Sequence, residues 1–470
     1  MSSTLYQLRK RYNGPAVLVP LVVLGSLALL FSHPTSPSYD ALASDPAVAA
    51  RTPSWYEYGL KSQQRAAKKE ADALMDKLLH VPAEEVGRVA ICASIHDEGR
   101  WLHDWIIYNR VVGVDRFYLY DTGSTDNTLE VLQPWMEAGI VKLHKFNNDL
   151  GSAFQSTALI TCSKWYGPKT EWLLSADVDE FFVVPHSLTG SVEAMSSKLS
   201  DMPRQPLWNL LKDTPLYQDA DVLAVSRMTF KNAGLQRLPD HASILAAQHS
   251  RDFLHSVPFT KLTYIKPIVH TRSAPGWFIP GAHEARHDAV ARSDARLISV
   301  DGQPVETRDS DPGATTPQGK GTMYGGTRIG RSFEPLVMYH YQERDLDNCL
   351  EKFARVAAVQ KDSWRAQAGG KACTGAEMYS DDESFPELRQ QHDFYVTAVP
   401  DYTMSNSWYG RHIPVLIRSA VARADALARG AKSPTDLPHQ PDVVDPHPWL
   451  IENWTMRGLN PINGRPLNED

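Results

Sequence analysis

From Arg88 onward, short apolar runs alternate with amphipathic stretches. Arg88 to Ile95 is an apolar run of strand length, and Trp101, Leu102, Trp105, Ile106, Tyr108 and Val112 then recur at helical spacing. Arg116 to Tyr120 predicts a second strand. It ends in turn chemistry, with Gly123 for the turn and Ser124, Thr125 or Asp126 to cap the next helix. Pro134 keeps that helix short or kinked. A third strand near Ile140 to Phe146, a helix around Ala153 to Trp165 and a strand from Trp172 towards Asp177 complete four strands and three helices. That alternation predicts a parallel sheet sandwiched by helices. Upstream, Ala67, Ala71, Leu74, Met75, Leu78 and Leu79 form one stripe of a helix over Trp55 to His80. Downstream, helices are expected around Leu346 to Gln360 and Pro414 to Arg429, and the chain after Lys432 is Pro-rich and extended.

In parallel sheets ligands bind beyond the carboxyl ends of the strands. Acids stand at three of those ends: Glu98, Asp121 and the run Asp177-Val178-Asp179-Glu180. In extended chain Asp177 and Asp179 point the same way and Glu180 the other. Two such carboxylates ~4–5 Å apart repel by about 1 kcal/mol in water, and by more when desolvated. A hard divalent cation with oxygen ligands is the expected partner. An acid after the second strand can accept hydrogen bonds from a ribose or a base, and a metal can neutralise a diphosphate. Together these describe a nucleoside-diphosphate site. Neither Gly-x-Gly-x-x-Gly after the first strand nor a Gly-Lys-Ser/Thr loop is present, which disfavours dinucleotide and P-loop folds.

Pro15 to Phe31 is uncharged, long enough to span a thin bilayer, and preceded by Arg9, Lys10 and Arg11. The reading is a cytosolic tail (1–14), an uncleaved transmembrane anchor (15–32) and a stem (33–87). A catalytic domain (88–345), its helical continuation (346–430) and a Pro-rich tail (431–470) follow. A cleaved signal peptide is the rival, but Ala41-Leu42-Ala43 lies too far downstream for a cleavage site. Asn453-Trp454-Thr455 is a glycosylation acceptor pattern compatible with a luminal body. The net charge of −7, with no Lys/Arg cluster interleaved with aromatics, argues against nucleic acid as a partner. Four cysteines are too few for a disulfide scaffold: Cys92 reads as a core residue, and Cys349 and Cys373 can pair in an oxidising compartment.

The run Asp121-Thr122-Gly123-Ser124-Thr125-Asp126-Asn127-Thr128 resembles the corresponding turn of family 2-type glycosyltransferases. A fuller set resembles glycosyltransferase family 92 over roughly residues 88–365: His96-Asp97-Glu98 with Trp101 to Trp105, Asp177 to Phe181, Lys261 to Pro267, Tyr339-His340-Tyr341 and Glu351-Lys352-Phe353. The resemblance implies a GT-A (Rossmann-like) α/β fold, a divalent metal (Mn2+ or Mg2+) and a UDP-sugar donor. It also implies inversion at the anomeric centre, with galactose the commonest sugar. By position, Glu98 and Asp121 would contact the uridine, Asp177 the ribose or a metal-bound water, and Asp179 the metal. A later histidine would complete the metal site, His283 first and His340 second.

Inverting transfer needs a carboxylate to take the acceptor's proton, for which Glu284 and Asp240 are the candidates. Lys261, Lys266 and Lys352 can offset diphosphate charge, and Trp277 and Phe278 can pack or stack on a sugar ring. Residues 290–330 show no periodicity and depart from the family pattern. The expectation is a Golgi type II glycosyltransferase with a luminal body and a glycan acceptor. A nucleotide-sugar-binding or scaffold protein without turnover is the alternative, and a metal-dependent hydrolase is a third reading.

Overall fold

The computed structural model describes residues 54–146, 154–188, 198–230, 232, 235–251, 265–272, 276–281, 284–287, 296–305, 332–359, 373, 399–430 and 442–444. The chain divides into two units, residues 1–66 and 67–470. Of the first unit, only the start of helix α1 (Ser54–Leu78) is described. The predicted span Pro15 to Phe31 and the tails on either side of it lie outside the described residues, as do Lys261, His283 and Asn453. Among the described residues, no helix is long and apolar enough to cross a membrane.

The predicted order of elements holds through the first half of the second unit. Strand β1 (Val89–Ile95), helix α2 (Gly99–Val112), β2 (Arg116–Asp121), α3 (Thr128–Glu137), β3 (Val141–Phe146), α4 (Phe154–Tyr166) and β4 (Trp172–Ser175) follow one another. β1 pairs in parallel with β2 and β4, and β2 with β3, giving the spatial order β3-β2-β1-β4. The sheet is not parallel throughout. Beyond β4 the chain forms β5 (Glu180–Val183), α5 (Pro206–Asp213), β6 (Val222–Phe230), α6 (Ile244–Ala247), β7 (Ser250–Arg251) and β8 (Ile265–His270). β8 lies antiparallel to both β4 and β6, so the sheet is mixed from this point. Antiparallel neighbours need no helical crossover, and the strand–helix alternation accordingly lapses here.

β9 (Trp277–Gly281) and β10 (Glu284–His287) make a hairpin, and β11 (Leu297–Ser299) lies beside β6 within a stretch expected to lack periodic structure. β12 (Val337–Tyr341) runs antiparallel to β5 and parallel to β6. Helices α7 (Leu346–Val359) and α8 (Trp408–Gly430) come later, with β13 (Val399–Pro400) between them, and β14 (Asp442–Val444) adds to β3 from within the Pro-rich tail. α8 begins six residues before its expected start at Pro414, and that proline sits inside the helix.

Helix α2 anchors the core. It reads as amphipathic, yet every residue from Trp101 to Val112 is buried, because α3, α6 and α8 cover the side that faces away from the sheet. Its Trp105 Nε1 donates to Glu180 O (3.0 Å) and its Tyr108 OH to Phe182 O (2.9 Å). Trp105, Phe117, Trp172, Phe181 and Phe182 are fully buried around it, each side chain worth roughly 1.5–3 kcal/mol by burial. Gly113 ends α2 at φ 115, the left-handed conformation that a Cβ disfavours. Cys92 is not a free core thiol: it bonds Cys162 and ties β1 to α4, while Cys349 bonds Cys373.

Candidate functional site

The loops after β1 and β2 lock into each other. Asp97, at φ 54, accepts from Thr125 N (2.7 Å) and Asp126 N (3.3 Å), and its own N–H donates to Ser124 Oγ (2.9 Å). Asp126 accepts from Gly99 N (2.9 Å) and Thr128 N (3.0 Å). Gly99 has no room for a side chain: a Cβ would collide with Asn127 Oδ1 and lie 2.8 Å from Thr128 N. Asp121, expected at a uridine, spends Oδ1 on Ser124 N (2.9 Å), Ser124 Oγ (2.7 Å) and Gly123 N (3.2 Å). Most of the Asp-x-Gly-Ser-x-Asp-x-Thr signature is thus accounted for by loop geometry. Glu98 Oε2 is 2.6 Å from Arg344 Nη1, an arginine that lies in no recognisable motif.

The acids after β4 are not in extended chain. Glu180 N donates to Asp177 O (2.9 Å), closing a turn over 177–180, and Asp177 N donates to Glu180 Oε2 (2.9 Å). The expected splitting, with Glu180 facing away, is corrected by this turn: all three carboxylates share one polar centre. Asp177 keeps 38% of its side chain exposed, while Asp179 and Glu180 are buried. Gln155 Nε2 donates to Asp177 Oδ1 at 2.9 Å.

Strands β6, β8 and β12 and helix α7 supply the partners. Lys266 of β8 is buried, with Nζ 2.5 Å from Glu180 Oε2 and 3.5 Å from Asp177 Oδ2. Lys352 of α7 donates to Asp179 Oδ2 at 2.8 Å. The pairing of β12 with β5 sets His340 opposite Glu180, and Tyr341 N donates to Asp179 O (2.8 Å). His340 Nε2 comes within 3.5 Å of Asp179 Oδ1, and Arg227 Nη1 lies 3.3 Å from His340 Nδ1.

Charge sets the protonation states. Burial pushes Asp179 up, but the Lys352 ammonium, helped by hydrogen bonding from His340, overcomes it and holds the carboxyl well below its usual range. Asp177 is lowered as well, Lys266 outweighing its burial. Glu180 is pushed up to about 7 by burial, against the pull of Lys266. Burial works to lower Lys266, but Asp177 and Glu180 raise it, so the lysine keeps the proton of the pair. Burial lowers His340 to about 4 despite Asp179, leaving a neutral ring.

Asp179 Oδ1 is buried and lacks a hydrogen-bond partner, and it falls with Glu180 and His340 in a group whose ligand atoms all lie within 4.8 Å of one another. Carboxylate and imidazole donors of this kind fit Mn2+ or Mg2+. Arg227 works against one element of that fit. It offers Nδ1 only donors, which favours the proton on Nε2, whereas ligation through Nε2 needs the other tautomer.

Other sequence candidates fall elsewhere. Asp240 is exposed, 3.4 Å from Arg100 Nε and 3.3 Å from Arg237 Nη2. Glu284 opens β10 in the hairpin that packs on β8, the strand of Lys266. Trp277 and Phe278 are buried packing residues. The contributions of Arg227 and Arg344 were missed, since neither lies in a recognisable pattern.

The fold and site together define an α/β protein with an acidic centre beside the carboxyl edge of a mixed sheet. Residues 87–271 match the model of glycosyltransferase family 92. A glycosyltransferase family 92 protein of Ricinus communis is 29% identical over 109 residues, 22% of this chain and 19% of its own. The galactan beta-1,4-galactosyltransferase GALS2 of Arabidopsis thaliana is 26% identical over 144 residues, 29% of this chain and 27% of its own. The chain thus spans under a third of the length of these relatives. Among solved structures, S. aureus TarS 1–349 is 10% identical, covering 73% of this chain and 92% of that one at a TM-score of 0.26.

Proposed function

We propose that the chain is a metal-dependent, inverting glycosyltransferase of GT-A type that moves a sugar, galactose as the first choice, from a UDP-sugar to a glycan acceptor. The proposal includes a type II anchor through Pro15 to Phe31 and a body in the Golgi lumen. The observation that carries the reading is the buried Asp179 Oδ1, with His340 Nε2 3.5 Å away, in a turn of three acids. The match of residues 87–271 to the family model supports the reaction class, and the similarity to galactosyltransferases supports the sugar.

In this reading Asp179 holds the cation with His340, and Asp177 and its exposed edge face the ribose or a metal-bound water. A bound divalent cation offsets the charge of the departing diphosphate. Lys352 lies on the same carboxylate and is placed to meet that charge too. Glu98, pinned by Arg344, borders the nucleotide. Glu284 is the proposed base for the acceptor hydroxyl, since Asp240 is committed to Arg100 and Arg237.

The test is a panel of UDP-sugars offered to the full-length chain in detergent, with Mn2+ or with excess chelator. Sugar release or transfer that requires Mn2+ and vanishes in Asp179→Ala supports the reading. Undiminished activity in chelator removes the metal from it, and UDP binding without turnover on a broad acceptor panel favours the scaffold alternative.

A further inference from the structure

Lys266 occupies the interior of β8, hydrogen-bonded between β4 and β6, with 1% of its side chain exposed. Burying an ammonium costs several kcal/mol unless an anion is close and well placed. Glu180, also 1% exposed, supplies that anion at 2.5 Å. The same Oε2 atom accepts the N–H of Asp177 at 2.9 Å. One carboxylate oxygen therefore joins a central strand to the first residue of the acidic turn.

The rest of the turn is fixed in the same manner. Glu180 N is bonded to Asp177 O, Asp179 O to Tyr341 N, and Glu180 O to Trp105 Nε1. Each of these bonds holds backbone or Glu180, and none uses Asp179 Oδ1. A cation drawn to Glu180 would sit beside the Lys266 ammonium, and like charges repel strongly when buried.

We infer that the Glu180–Lys266 ion pair is a positioning element. It fixes the 177–180 turn so that Asp179 presents Oδ1 to the cation, and Glu180 is not itself a ligand. This deepens the proposed reading of the site and rests on it.

The experiment compares the full-length chain with Lys266→Met, Glu180→Gln, the double variant K266M/E180Q and Asp179→Ala, by Mn2+ binding (electron paramagnetic resonance of free Mn2+) and thermal melts. Lys266→Met leaves a buried carboxylate unpaired and weakens Mn2+ binding by roughly 10–100-fold. The double variant removes both charges, keeps a Gln oxygen for Asp177 N–H, and recovers most of that loss. Asp179→Ala binds no Mn2+. A folded double variant that also fails to bind overturns the inference and makes Glu180 a ligand. Equal affinity in Lys266→Met and the parent overturns it as well. A parent chain that binds no Mn2+ defeats the cation reading alone. The melts then decide whether the two side chains act as a pair: K266M must fall and K266M/E180Q must recover.

Discussion

Arg344 Nη1 lies 2.6 Å from Glu98 Oε2, joining two residues 246 positions apart. The arginine is 3% exposed and also covers the Trp101 ring at 5.1 Å. Removing one partner leaves the other charged in a mostly dry setting. Arg344→Met is expected to cost on the order of 3 kcal/mol of stability. Glu98→Gln keeps the shape of the side chain and should cost less. If Glu98 serves the nucleotide alone, Glu98→Gln weakens UDP binding with no shift in the melt; if it serves Arg344, the melt moves first.

In the proposed reading Lys352 and a cation would compete for Asp179. The ammonium sits 2.8 Å from Oδ2, so Lys352→Met frees that oxygen. Mn2+ binding without nucleotide should then tighten several-fold, about 1 kcal/mol. UDP binding in the presence of Mn2+ should weaken, because a charge that could meet the diphosphate is gone. Titration calorimetry with and without Mn2+ reads both, and two changes of the same sign would contradict the assignment.

Arg227 gives a third test. Its donors hold His340 Nδ1 in the accepting state. Arg227→Gln puts an acceptor within reach, allowing the proton onto Nδ1 and the Nε2 lone pair onto the cation. Tighter Mn2+ binding is expected, and unchanged affinity would mean that His340 is no ligand.

Neighbouring residues in α2 make opposite contributions to acid stability. Burial raises Asp104 from 3.8 to about 7, although Ser243 and Ile244 donate to its carboxylate. Burial lowers His103 from 6.5 to about 3, with His241 adding to the effect. Between pH ~4 and ~7 the folded chain holds a proton on Asp104 that the unfolded chain has lost, so this residue makes stability fall as pH rises. Between pH ~3 and ~6.5 the unfolded chain protonates His103 and the folded chain does not, so stability rises with pH. Each slope approaches about 1.4 kcal/mol per pH unit at most, and they largely cancel in the parent. His103→Gln should uncover the falling slope, which denaturant melts from pH 4 to 6.5 would record. A flat profile in that variant would count against a buried, protonated Asp104.

The first half of the fold was legible because its elements are local. Apolar runs of strand length, a helical stripe from Trp101 to Val112 and the turn at Gly123 each carry their own signal. The acids at the strand ends were legible for the same reason. The turn over 177–180 was not, since Asp-Val-Asp-Glu has neither glycine nor proline and reads as extended chain. Partners brought by β8, β12 and α7 come from 86 to 173 positions later in the chain, which leaves no local trace. Lys352 was visible as a cation near a motif, but its contact with Asp179, 173 residues earlier, was not. Cys92 and Cys162, 70 residues apart, were likewise beyond any spacing rule.

The pairing of β12 with β5 has a consequence for how the protein comes to work. The segment that matches the family model, residues 87–271, holds all three acids, but His340 and Tyr341 follow about seventy residues later. A ribosome must release that later strand before the acidic turn gains its backbone clamp and its imidazole. Until then a nascent chain that already holds all three acids lacks that clamp and that imidazole, and a recombinant piece cut at residue 271 never acquires them.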